Sequence, residues 1–343
     1  MSVPYYANAP LPDTNARQVA TPIRLPSTAL LTIDSEDRYK DYSEADTTPT
    51  SAYNFRIQKS ESLMNGFITR LGISEVVFPW VIPNINNKTC QIIFEYFRDG
   101  IDPSPVDVTL TIAKGFYTPA QLAVAIQGAV LAIVGNPVSG FTATYGVTAS
   151  GYAASQPVFK FATGNPNTTC RFLSLTPNTA AYPYGSQSKQ LLNLLGLNNS
   201  AAADTVFYGN YTLCQAIRYV DIVCNQLTNP QALKDQTSQT VSRDMLCRIY
   251  IAGSPTTQST VAANDPSFCP AGCAPTTIYR NFTMPKQIQW IPNAPVGGYL
   301  TFQVYDDTGD LLDNAISLAG QGPLGSIGGD TVDWSMSMLV SET

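Results

Sequence analysis

Short runs of alternating apolar and polar residues, parted by Pro, Asn, Asp and Gly, dominate this sequence and restrict it to a fold built from sheets. From Ser27 the runs ALLTIDS, YNFRIQ, FITRLGISEVVFPW, TCQIIFEYF and VDVTLTIA follow one another. After residue 205 come AIRYVDIVC, MLCRIYIA, TIYRNFTM, KQIQWIP, YLTFQVYDD and WSMSMLV. A period of two sets one face of each strand on a core and the other in solvent. Many short strands at this spacing predict an antiparallel sandwich or barrel. With 44% apolar residues in 343, a core of that size can be filled.

The section from 115 to about 205 breaks the pattern. Thr118 is placed to cap a helix with Pro119 in its first position, and Leu122, Ile126, Ala129 or Val130, and Ile133 then recur at helical spacing. Ser188 and Gly196 bracket a second short helix carrying Leu191, Leu192, Leu194 and Leu195. Strand-like FTATYGV and PVFKFAT lie between them. The expectation is therefore mainly β: a sandwich over 27–114 and 206–343, interrupted by a small α+β domain over 115–205. Residues 1–26 carry five prolines and little periodicity, and read as an extended arm. Such a segment is either disordered or laid across a neighbour, where Tyr5 and Tyr6 are the candidate interface anchors.

The chain has no histidine, which removes Ser-His-Asp and Cys-His nucleophilic sites and histidine-bound zinc. A net charge of −6 with no basic block argues against nucleic acid as a specific partner. The longest nearly apolar run, LAVAIQGAVLAIVG, falls short of the roughly 20 residues that span a bilayer, and the start of the sequence does not read as a signal peptide. Seven cysteines are scattered, mostly in strand-like runs where a thiol acts as a small apolar group, a pattern expected of a reducing compartment. Cys269 and Cys273 bracket a tight loop that is open to three readings: a plain loop, a disulfide or a metal pair.

Asp307-Thr308-Gly309 is the tripeptide with which aspartic proteases present a carboxylate. Those sites need a second copy of the motif so that two carboxylates share a proton, and none occurs here. Asp306 and Asp310 flank the motif, so three carboxylates fall within five residues. Mutual repulsion favours an exposed hairpin turn with Gly309 at positive φ, a calcium-binding turn being the alternative. Gly320, Gly322 and Gly325 form a GxGxxG that neither follows a buried parallel strand nor opens a helix, so it reads as a loop. The charges from Asp34 to Arg38 read as a solvated strand exit. No catalytic, cofactor or metal residue emerges.

Six stretches in order, LTIDSEDR, YNFRIQ, ITRLGISEVVFPWVIPNINNKT, VTLTIAKGFYTPAQLAVAIQ, KQLLNLLGL and TMPKQIQWIPNAPVGGYLTFQVYDDTGDLL, resemble the penton and minor capsid proteins of nucleocytoplasmic large DNA viruses and virophages over roughly residues 27 to 315. The resemblance implies a single jelly-roll sandwich with an inserted domain, five copies of which close an icosahedral vertex. It further implies a structural, non-enzymatic chain without cofactors, located in the virion. Its partners are then itself as a homopentamer, the major capsid protein and other minor capsid proteins, with a host surface receptor as a further class. Within the matching stretches Pro79 and Pro83 are expected to flank a strand end, with Asn84, Asn86 and Asn87 in the turn beyond it. Pro285 and Lys286 are expected to start the strand that buries Trp290. Two other readings remain: a minor capsid protein with tandem jelly rolls, and a carbohydrate- or receptor-binding spike, which the Tyr-rich loop Ala180 to Gly185 suggests.

Overall fold

The computed structural model describes residues 27–41, 51–59, 68–147, 158–173, 187–197, 203–210, 215–227, 233–236, 239–251, 275–282, 287–289, 298–313 and 332–342. Tyr5, Tyr6, Cys269, Cys273, Pro285, Lys286, Trp290 and the GxGxxG lie outside these residues, as does the whole of the expected arm.

Ten strands make two sheets. The first orders β1 (Ser27–Asp34), β16 (Ser335–Glu342), β3 (Ile68–Trp80) and β13 (Thr276–Asn281), with β14 (Gln287–Gln289) also on β3. The second orders β11 (Leu233–Gln236), β12 (Gln239–Tyr250), β10 (Tyr219–Val223), β15 (Gly298–Asp306) and β2 (Asn54–Lys59). With β11 and β14 set aside, eight principal strands remain, and in chain order they pair first with eighth, second with seventh, third with sixth and fourth with fifth, all antiparallel. A long hairpin rolled onto itself gives that pairing, and the fold is a jelly roll.

Alternation set the inward faces. Met336, Met338 and Val340 of β16 are buried while Leu339 is exposed, and Phe78, Val76 and Ile33 point into the same core. Rings from both sheets lock the layers together. Phe55 and Phe302 stack at 5.4 Å on the second sheet, Trp334 meets Phe55 edge-on at 5.8 Å, and Phe78 of the first sheet lies 6.2 Å from Trp334. The Trp334 indole donates to the Ala52 carbonyl at 2.6 Å, so the one polar atom of this buried ring is satisfied.

A second core is inserted between the third and fourth principal strands. It comprises β4 (Gln91–Arg98), β5 (Val106–Thr111) and β8 (Thr168–Leu173) in one sheet, and β6 (Thr142–Val147), β7 (Val158–Ala162) and β9 (Val206–Tyr208) in another. Helix α1 (Pro119–Leu131) packs on β6 and α2 (Gln187–Leu195) on β4. Among the described residues these two three-stranded sheets do not repeat the eight-strand pairing of a jelly roll. Ile92, Phe94, Leu110 and Ile112, on runs assigned to the sandwich, are buried in the second core. Period-two alternation marks a strand but not the sheet it joins.

The start of α1 and the end of α2 fall where the sequence placed their signals, whereas α1 ends at Leu131, short of Ile133, and Ser188 lies inside α2, which begins at Gln187, its hydroxyl donating to the Leu173 carbonyl. Thr118 caps α1, its hydroxyl accepting from the Gln121 amide while the Gln121 side chain accepts from the Thr118 amide, with Pro119 in the first turn. Leu122, Ile126 and Val130 are fully buried. α2 ends on Gly196 at φ 68°, where the Gly196 amide donates to the Asn193 carbonyl and the Leu197 amide to the Leu192 carbonyl, a Schellman closure. Among the described residues no helix is long and apolar enough to cross a membrane.

Candidate functional site

The largest concentration of buried charge sits where the two cores meet. β3 leaves the sandwich at Trp80 and enters the loop PNINNKT before β4, and side chains rather than secondary structure hold that loop. The Asn86 amide nitrogen donates to the Pro83 carbonyl at 3.0 Å, and its oxygen accepts the Lys88 amide at 2.8 Å. Thr89 Oγ1 accepts from the Asn86 amide and donates to the Asn84 carbonyl. Asn84 in turn bonds both backbone groups of Tyr117. Buried Asn and Thr side chains thus replace the ladder that β3 has lost. Pro79 is the penultimate residue of β3, opposite Thr277 and beyond the last β16 pair at Val77, where its missing N–H leaves no β16 acceptor unfilled.

This loop aims Lys88 at the DDTGD turn. Lys88 Nζ lies 2.5 Å from Asp306 Oδ2, 2.6 Å from Asp310 Oδ2 and 2.8 Å from Thr308 Oγ1, three acceptors for the three ammonium hydrogens. The other Asp306 oxygen accepts from the Thr308 amide, the Thr308 hydroxyl and the Asp310 amide at 2.7 to 3.0 Å. Gly309 closes the turn at φ 90° by donating to the Asp306 carbonyl, so the positive φ expected of it is present. The expectation of an exposed turn is overturned. The Asp306 side chain is 0% and that of Lys88 7% exposed, because a lysine and an arginine supply the charge that solvent was expected to supply.

Asp307, the residue a protease would use, accepts from Arg218 Nε at 2.8 Å. Its neighbours Asp306 and Asp310 share a lysine rather than a proton, so the constellation lacks the proton-sharing dyad of that chemistry. Lys88 also takes the oxygens that a calcium reading of the turn assigns to a metal, and among the described residues no group of three or more acidic or cysteine side chains is placed to hold a metal ion. The turn is a charge-neutralising clasp between the loop opening the second core and the end of β15. Sequence reasoning singled out both stretches but not their contact. The available signal was the crowding itself: three carboxylates in five residues require cations, and Lys88 stands in an Asn-bounded turn of another resembling stretch.

A second polar cluster closes one end of the sandwich. Arg38, expected in a solvated loop, is 2% exposed in the 3-10 turn Ser35–Asp41; it pairs with Asp333 and donates to the Ser35 carbonyl at 2.6 Å. Nearby, Asp313 accepts from Ser51 Oγ, and burial pushes its carboxyl above the usual range, opposed only in part by that bond. Burial and then the charges of Asp313 and Asp333 push the Tyr53 phenol well above its ordinary value, and its hydroxyl has no hydrogen-bond partner among the described residues. A carboxyl raised in the folded state holds its proton more tightly than in the unfolded chain. Its ionisation therefore costs nothing below the ordinary carboxylate range and destabilises the fold as pH climbs through the unfolded and then the raised value. Asp313→Asn should accordingly stabilise the protein near pH 7, with the gain fading toward pH 3 in urea titrations. A gain independent of pH would exclude this origin.

Cys90, Cys170, Cys224 and Cys247 are buried thiols outside any disulfide, and burial raises the last three to about 12, so they act as apolar fillers as their strand positions suggested.

No family model and no curated protein matches the chain. Among solved structures, the crystal structure of selenomethionine-labelled mavirus penton protein is similar, with a TM-score of 0.48 and 9% identity over 92% of this chain and 100% of that one.

Proposed function

We propose that this chain is a structural capsid protein, the penton that closes icosahedral vertices as a homopentamer beside a major capsid protein. The observation that carries the reading is the strand pairing: one jelly roll, interrupted between its third and fourth strands by a second unit, in a chain whose stretches resemble that family in order. The polar clusters fit a scaffold, since Lys88, Asp306, Asp310, Arg38 and Asp333 are bound to one another rather than open to a substrate. The chain is read as a non-enzyme that works in the virion. Light scattering of the purified full-length chain tests it: the expected mass is five times 37.0 kDa, seen as a five-fold ring in negative stain. A chain that stays monomeric at high concentration sinks the penton reading, and measurable peptidase activity lost on Asp307→Asn sinks the non-enzymatic one.

A further inference from the structure

We propose that the side chains of Lys88 and Asp306 condense spontaneously to a covalent amide, with Asp310 carrying the proton, so that the clasp between the two cores closes as a permanent cross-link. The proposal does not depend on the pentamer reading. It concerns one reaction of the chain on itself and the turnover of no substrate.

Such a condensation needs a nitrogen held against the carboxyl it attacks, a base for its proton, donors where the oxyanion develops, and shelter from water. The clasp supplies each. Nζ lies 2.5 Å from Asp306 Oδ2, and the Lys88 backbone is fixed by the Asn86 side chain, which accepts the Lys88 amide at 2.8 Å. Asp310 Oδ2 lies 2.6 Å from the same Nζ, a second carboxylate on the attacking nitrogen. The other oxygen of Asp306, Oδ1, accepts from the Thr308 amide at 2.9 Å, the Thr308 hydroxyl at 2.7 Å and the Asp310 amide at 3.0 Å, so charge growing there meets donors already in place. The Asp306 side chain is fully buried, and across the strand it pairs with buried Val220.

The step balances without a co-reactant. The ammonium passes one proton to Asp306 Oδ2, and the amine so formed attacks Cγ, placing the charge of the tetrahedral intermediate on Oδ1. Asp310 takes a second proton from the nitrogen and hands it to Oδ2, which leaves as water while the C=O bond to Oδ1 re-forms. The third hydrogen stays on the amide, facing Asp310. One ammonium and one carboxylate thus become one neutral amide and one water. In solution the ions win because both are hydrated; the buried clasp has already shed that hydration, and a neutral product removes the desolvation cost that the ion pair carries. Fixed geometry adds an effective concentration on the order of 10⁵ M or more. The bond spans a sequence separation of 218 and constrains the unfolded chain as a disulfide does, without being reducible.

Intact-mass spectrometry of the purified full-length chain, held overnight at neutral pH, tests this. The expected mass is one water below that of the sequence. Trypsin does not cut after an acylated lysine, so it should release residues 71–98 still joined to the segment that begins at residue 287. Lys88→Arg keeps the charge but removes the amine, which separates the bond from the ion pair, and should show the full sequence mass. Asp310→Asn should close at least about a hundredfold more slowly, as loss of a positioned proton carrier does. A parent chain at full sequence mass overturns the proposal whether or not the variants fold. So does a lost water with Lys88 still cleaved, which places the dehydration elsewhere, and closure of Asp310→Asn at the parent rate removes Asp310 from the step. None of these readouts depends on how many copies assemble, so the pentamer reading stands or falls separately.

Discussion

Replacing Lys88 with methionine should destabilise the protein by about 3–5 kcal/mol in urea unfolding, the cost of removing one partner of a buried ion pair. The size follows from what stays behind. Asp306 is fully buried and Asp310 nearly so, and the ammonium is the cation the described structure places between them. Arg218 faces Asp307 and has a side chain 69% exposed, so its pair is worth far less. Methionine matches the lysine stem in length and packing, which isolates the charge. Adding Asp306→Asn and Asp310→Asn should recover part of the loss, because the carboxylates left unpaired are then gone, and the three effects should be strongly non-additive. A cost below about 1 kcal/mol, the value of an exposed pair, would show that solvent reaches the clasp and that the turn is the open hairpin its sequence suggests.

The clasp also shows where sequence stops informing. Each half was legible alone: PNINNKT as an Asn-built turn, DDTGD as a hairpin with Gly309 at positive φ. Their meeting was not, since 218 residues separate Lys88 from Asp306 and neither stretch carries a periodicity that refers to the other. The strands divide in the same way. Alternation identified β1, β2, β3, β10, β15 and β16 and their inward faces, because burial of one face writes a period of two into each strand. It did not distinguish β4 and β5 from sandwich strands, because Ile92, Phe94 and Leu110 look the same whichever core they enter. The short strands β9 and β11, three and four residues long, carry too little pattern to be read. The start of α1 and the end of α2 were legible because capping is local chemistry. Thr118, Pro119 and Gln121 satisfy one another within one turn, and Gly196 supplies the left-handed residue that ends α2. Arg38 was misread for the converse reason: its partner Asp333 lies 295 residues away, so a buried ion pair looked like loop charge.

Ile126→Asp should unfold the second core and leave the jelly roll standing. Ile126 is fully buried on α1 between Leu122 and Val130, so the substitution removes an apolar side chain and sets a carboxylate in a hydrophobic cluster, a cost of several kcal/mol. Whether that cost spreads depends on how much the two cores share. Among the described residues the links include the Lys88 clasp and Ala216, which packs partly against both. The aromatic clusters are separate, Phe94, Phe141, Phe161 and Phe172 in one and Phe55, Phe78, Phe302 and Trp334 in the other. We therefore propose that the second core is a folding unit of its own, beginning near Ile85 rather than at 115. Hydrogen exchange should show protection lost across β4, β5, β8 and α1, while amides of the β1–β16 and β10–β15 ladders keep most of theirs, lowered only by loss of the clasp. Limited proteolysis should then cut in the Trp80 to Cys90 connection. If Val304 and Met338 lose protection as fully as Phe94, the cores unfold together, and the jelly roll depends on its insertion for stability as well as for whatever surface the insertion presents.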